Sequence, residues 1–165
     1  MSRIRFVAFA ASTMLFSVAP GHRAFGQSPA HGDTTGRASA VAFAEGIAVR
    51  ALRFTQGDAS SLLATKAEFT ESGWIAFVKH FDGFVDANGA PQFSSSFVPA
   101  GSAAIVGEKD GLVHVRIPGK LVQTNGASTT TYRIAADIDV GGTPRKVQRL
   151  TWNTCVGEAA RTYCM

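Results

Sequence analysis

Thr131-Tyr132-Arg133-Ile134-Ala135-Ala136-Asp137-Ile138-Asp139-Val140 is the stretch whose reading decides the fold. Tyr132, Ile134, Ala136, Ile138 and Val140 alternate with Thr131, Arg133, Ala135, Asp137 and Asp139. A period of two sends successive side chains to opposite faces, so this is a strand with one apolar and one polar face. Working outward, Gly141-Gly142 turns the chain into a last strand over 146–152. There Val147 and Leu150 differ in parity, which requires a bulge or partial burial of both faces. On the other side, Asn125-Gly126 marks a turn and Pro118-Gly119 a bulge or bend. Before them Val113, Val115 and Ile117 alternate with Leu112, His114 and Arg116, and Asp110-Gly111 is a hairpin signal that pairs this strand with 103–107. The second half of the chain is therefore an antiparallel meander of four strands.

The first half keeps the helical period. Phe43, Ile47, Ala51 and Phe54 recur on one face over 38–54, beside a small-residue stripe of Ala40, Ala44 and Ala48. Asp58 is placed to cap a short second helix carrying Leu62 and Leu63, and Thr70 to cap a third. Behind Thr70, Trp74, Phe77, Val78, Phe81 and Val85 recur at three or four residues, up to the break at Asn88-Gly89. Helices followed by strands, with no alternation of the two, give an α+β class: N-terminal helices packed on a curved antiparallel four-stranded sheet. Trp74, Phe77 and Phe81 are then expected against the concave face carrying Tyr132, Ile134 and Ile138.

The N-terminus reads as a targeting segment. Arg3 and Arg5 precede an apolar run over 6–19 that is closed by Pro20, Gly21, His22 and Arg23, with no acidic residue before Asp33. That run is short of the roughly 20 apolar residues that span a bilayer. Small residues at Ala24 and Gly26 allow cleavage before Gln27, with a second site before His31 and an uncleaved anchor as the rival. The expected organisation is a signal peptide at 1–26, a Gly-, Ser- and Thr-rich flexible leader at 27–37, and a single α+β domain at 38–165. Loss of Arg3, Arg5 and Arg23 lowers Lys+Arg from 16 to 13 against 12 Asp+Glu, so the net charge falls from +4 to +1. The high isoelectric point thus belongs largely to the leader, and no basic stripe suited to nucleic acid remains. Periplasmic or secreted localisation follows, with no membrane span after cleavage.

Cys155 and Cys164 are the two cysteines of the chain. In an exported protein they are expected to pair, closing a C-terminal disulfide loop for about 2.5 to 3 kcal/mol on the chain-entropy account. Neither a C-x-x-C pair nor a haem signature is present, so a metal or redox reading has little to stand on.

Three helices, the last rich in aromatics, ahead of a curved meander resemble the cone-shaped cystatin-like fold of nuclear transport factor two and ketosteroid isomerase. Within that group, Phe69-Thr70-Glu71-Ser72-Gly73-Trp74-Ile75-Ala76-Phe77 is similar to an F-T-x-x-G-W-x-x-F signature of the DotI/IcmL family. The matching positions are Phe69, Thr70, Gly73, Trp74 and Phe77, and the looser likeness spans about 40–152. The resemblance implies a periplasmic domain of a type IV secretion or conjugation system, acting as a non-catalytic building block. Two departures stand out: the family is anchored by a transmembrane helix behind a cytoplasmic tail, and the terminal cysteine loop lies outside its pattern.

Chemistry-bearing motifs are missing from the sequence: there is no G-x-S-x-G elbow, H-E-x-x-H, Walker or dinucleotide pattern. No catalytic residue, metal ligand or cofactor is expected. An enzyme or small-molecule carrier using the cone interior is the alternative, with His80, Asp82 and Asp137 as its acid–base candidates. Periodicity turns His80 to solvent and puts Asp137 on the polar sheet face. A cone filled by Phe77, Phe81, Phe84 and Tyr132 would favour assembly, and a polar open one would favour a ligand. His114, Arg116, Arg133, Asp137 and Asp139 share the polar faces of neighbouring strands, as an ordinary solvated surface or a docking surface. The partners implied are proteins of the cell envelope, either others or further copies of this chain.

Overall fold

In a computed structural model of the chain, residues 34–155 are described. Helices α1 (Thr34–Ala51), α2 (Ala59–Leu63) and α3 (Glu71–Lys79) precede strands β1 (Ser94–Pro99), β2 (Ala104–Lys109), β3 (Leu112–Asn125), β4 (Ser128–Gly141) and β5 (Lys146–Thr154). The class is α+β with a curved antiparallel sheet, as the residue patterns require, but with five strands rather than four. The added strand is β1, which pairs with the second half of β3 while β2 pairs with the first half. Both occupy one edge position, so the sheet is four positions wide with a divided edge. The division falls opposite Pro118, whose carbonyl accepts from Ala100 N at 2.9 Å. No bulge forms there, because β3 and β4 pair without interruption from Leu112↔Gly141 to Asn125↔Ser128. Proline has no N–H for a ladder, so the edge strand breaks and the central pairing continues.

The parity conflict in the last strand is resolved by a bulge. The register shifts between Asp139↔Arg149 and Val140↔Val147, leaving Gln148 extra, and both Val147 and Leu150 are buried. At the Asp110-Gly111 turn, φ is 52° and 76°, the two positive values that a two-residue hairpin of right-handed twist demands.

Helix α1 begins at Thr34, inside the stretch expected to be a leader, and ends at Ala51, three residues before Phe54. Its buried face is the small stripe: Ala40, Ala44, Ala48 and Ala51 are almost fully covered with Ile47, whereas Phe43 is half-buried at the flank. Small side chains let the helix lie close across β1 to β4. Asp58 caps α2 by accepting from Ser60 N, and the Ser60 hydroxyl holds its carboxyl below the ordinary carboxylate value. Helix α3 packs on β5 and stops at Lys79, well short of Val85. Tight turns take over from there, with Phe81 N bonded to Val78 O and Phe84 N to Phe81 O, and Gly83 at φ 84°. Phe81 still reaches the core at 3% exposure. The core itself joins α1, α3 and the inner sheet face through Phe77, Ile47, Leu52, Ile117, Ile134, Ile138 and Leu150.

Candidate functional site

The F-T-x-x-G-W-x-x-F residues form the joint between α3 and β5. Thr70 Oγ1 accepts from Gly73 N at 3.2 Å and so caps the helix, while Thr70 N donates to Val147 O at 2.9 Å. The same hydroxyl lies 3.1 Å from Gln148 Oε1, the bulged residue of β5. Gly73 is required by proximity: a Cβ there would sit 2.6 Å from Val147 O and 2.8 Å from Gln148 O. Phe69, Trp74 and Phe77 then interlock, with ring centroids 5.1 to 5.6 Å apart. All three are buried. Each signature position thus has a packing role, and Phe69, Thr70 and Trp74 also line an open groove of about 670 Å³ shared with Leu63, Lys66 and Ile75.

The outer sheet face, turned away from the helices, carries a charged network. Asp137 receives Arg116 Nε at 2.8 Å and Arg116 Nη2 at 3.3 Å on its two oxygens, and Asn153 Nδ2 at 3.4 Å. His114 touches both carboxylates, through Nε2 to Asp137 Oδ1 at 3.4 Å and through Nδ1 to Asp139. Arg149 Nε completes it at 2.8 Å from Asp139. The pairing register explains the cluster, since Arg116 lies opposite Asp137, and His114 opposite Asp139 and thence Arg149. Four of the five candidate interface residues are therefore brought together. The expectation of a solvated face fails at Asp137, which is 5% exposed, because its neighbours' side chains reach over it. Arg133 stands apart on the same face, exposed and directly opposite exposed Lys120, and neither makes an ion pair among the described residues. Arg149 and Asn153 were missed from sequence, although their alternation with Leu150 and Trp152 beyond the bulge carries the signal.

At the open end of the cone, a cavity of about 230 Å³ is lined by Leu52, Phe54, His80, Phe81, Phe84, Phe93, Ser95, Leu121, Gln123, Tyr132 and Trp152. Of the four residues weighed as a filling for the cone, Phe77 and Phe81 are buried, whereas Tyr132, expected against the helix, and Phe84 are 39% and 52% exposed at this mouth. His80 is exposed, as its phase predicts, yet its ring lies 5.3 Å from that of Trp152. The three acid–base candidates are not assembled: His80 borders the cavity, Asp82 is exposed outside it, and Asp137 is ion-paired on the opposite sheet face. Among the described residues no group of three or more His, Cys, Asp or Glu is placed to hold a metal. Nor is any helix there long and apolar enough to cross a membrane.

Cys155 follows β5, its N–H donating to Arg133 O at 2.8 Å, while Cys164 lies outside the described residues. The expected signal peptide at 1–26 lies outside them too.

No protein-family model matches the sequence, and no curated protein matches it significantly. Solved structures do. An IcmL-like type IV secretion system protein from Legionella pneumophila superposes with a TM-score of 0.61 at 14% identity, covering 73% of this chain and 94% of that one. The periplasmic domain of DotI gives 0.58 at 15% identity, with 70% and 94% covered. A periplasmic fragment of TraM gives 0.53 at 9% identity, with 72% and 97% covered. The chain therefore has the fold shared by the IcmL-like protein and the periplasmic parts of DotI and TraM, the fold its aromatic helix and meander resemble.

Proposed function

We propose that the chain is a non-catalytic, exported protein-binding domain and serves as an accessory or structural component of a type IV secretion or conjugation system. The reading is supported by its fold likeness to secretion-system domains, two of which are described as periplasmic. On this reading residues 1–26 are a signal peptide, the domain works in the periplasm or beyond it, and Cys155 pairs with Cys164. The single observation favouring a binding surface is the Lys120–Arg133 pair. Like charges directly opposite on a sheet are unfavourable, and here they stand exposed beside a network whose own charges are matched. An acidic segment of a partner protein would relieve the repulsion.

A photo-crosslinking residue at position 133, compared with one at the exposed helix position Ile75, tests the surface in the protein's own envelope. The same discrete partner should be trapped from position 133 and not from 75. Equal capture from both, or none from 133, would contradict the assignment. Intact mass of the envelope protein checks export: a species lacking residues 1–26 or 1–30 is expected, and one retaining Met1 in the membrane fraction would replace export by anchoring. Thiol counting without reductant should find none.

A further inference from the structure

The cavity at the cone mouth has the composition of a binding site. Six aromatic rings, those of Phe54, Phe81, Phe84, Phe93, Tyr132 and Trp152, wall it together with the His80 imidazole, and no carboxylate, ammonium or guanidinium group lines it. The rings meet edge to face: Phe54 lies 5.2 Å from Phe81 at 88°, and Phe84 lies 5.7 Å from Phe93 at 88°. Such walls take a flat, uncharged molecule. An apolar cavity of roughly 150 Å³ holds benzene. About 230 Å³ has space for a two-ring system.

Polar groups reach the cavity from His80 and the Tyr132 hydroxyl at its mouth and from Ser95 and Gln123 on the sheet, of which Ser95 is the buried one. Along the inner sheet face the cross-strand pairs change from Phe97↔Leu121 to Ser95↔Gln123 at the open end. Ser95 is 6% exposed, and both its backbone groups are bonded to Phe54, at 2.9 and 3.1 Å. Its Oγ is buried with no hydrogen-bond partner. A buried hydroxyl left unbonded costs stability, so it calls for a partner that the protein itself does not supply. Serine has three staggered χ1 wells, which lets the hydroxyl turn toward a molecule in the cavity.

We infer that this cavity binds a neutral aromatic molecule of one or two rings bearing a single N–H or O–H group, with that group bonded to Ser95 and the rings held between Phe81, Phe93 and Trp152. The site lies away from Lys120 and Arg133, so it stands or falls independently of partner binding at the outer face.

Indole and indene, which share a shape and differ by the N–H, are the probes, titrated into the full mature chain and followed by amide NMR. Indole should bind saturably at one site, shifting Ser95, Gln123 and the Trp152 side chain. Ser95→Ala should weaken indole at least tenfold and indene less than twofold. Gln123→Trp, at the half-buried mouth, should abolish binding of both while the spectrum stays that of a folded protein. Failure of indole to saturate, equal effects of Ser95→Ala on both probes, or undiminished binding to folded Gln123→Trp would each overturn the inference.

Discussion

The two faces of β4 are buried by different means. Ile134, Ala136, Ile138 and Val140 meet the helices across an apolar core, whereas Asp137 and Asp139 on the other face are covered by Arg116, His114, Asn153 and Arg149. Apolar burial is non-directional and scales with area, so the inner face tolerates many shapes of similar volume. Buried charge is conditional: it is tolerated while every partner is in place and costly once one is removed. A strand can thus look half solvated in sequence while both of its faces are committed to the fold.

Substitutions can break this contrast in order of size. Phe77→Ala, at 0% exposure between α3 and the sheet, should cost about 3 to 5 kcal/mol in denaturant unfolding; a loss below about 1 kcal/mol would mean the core lies elsewhere. Asp137→Ala should cost about 2 to 3 kcal/mol, less than a fully buried pair because the Arg116 side chain keeps 24% exposure. Replacing both partners, Arg116→Met with Asp137→Leu, should bring stability back to within about 1 kcal/mol of the parent, since the buried carboxylate and the guanidinium across from it leave together. If the double variant is as unstable as the single one, the network is not what covers that face. Gly73→Ala should cost about 1 to 3 kcal/mol, because the new methyl would press on the Val147 and Gln148 carbonyls, which are fixed backbone. Thr70→Val should cost about 1 kcal/mol as the cap to Gly73 N is lost.

The inner face was legible because hydrophobic period maps directly onto geometry. The alternation at 131–140, the Asp110-Gly111 turn and the Thr70 cap all carry local rules. Strand β1 was not legible: Ser94, Ser95 and Ser96 have little strand preference, and what holds them is pairing with Thr124, Gln123 and Val122 far along the chain. The end of α3 at Lys79 was hidden for a related reason, since Phe81 stays buried from a turn and so preserves the helical spacing without the helix. At the outer face, parity gave the right residues together, namely His114, Arg116, Asp137 and Asp139, but not their burial. Burial there depends on the register that brings Arg116 and Asn153 onto Asp137, and on the β5 bulge that sets Arg149 beside Asp139. The signature residues were recognisable as a pattern, yet their reason, the close approach of Gly73 to the bulge, needs the structure.

Recognition of a partner through the outer face can be checked in a single pull-down. The mature chain, its Arg133→Glu variant and its His80→Ala variant are each cross-linked in the envelope fraction and compared for partner yield. Asp137 is left intact because the loss of its buried ion pair is expected to destabilise the fold. Arg133→Glu, which should change stability by no more than about 0.5 kcal/mol, should lose most of the captured partner, whereas His80→Ala should retain it. Undiminished capture by folded Arg133→Glu, together with loss by His80→Ala, would rule out the outer face as the docking surface and move function to the cone mouth.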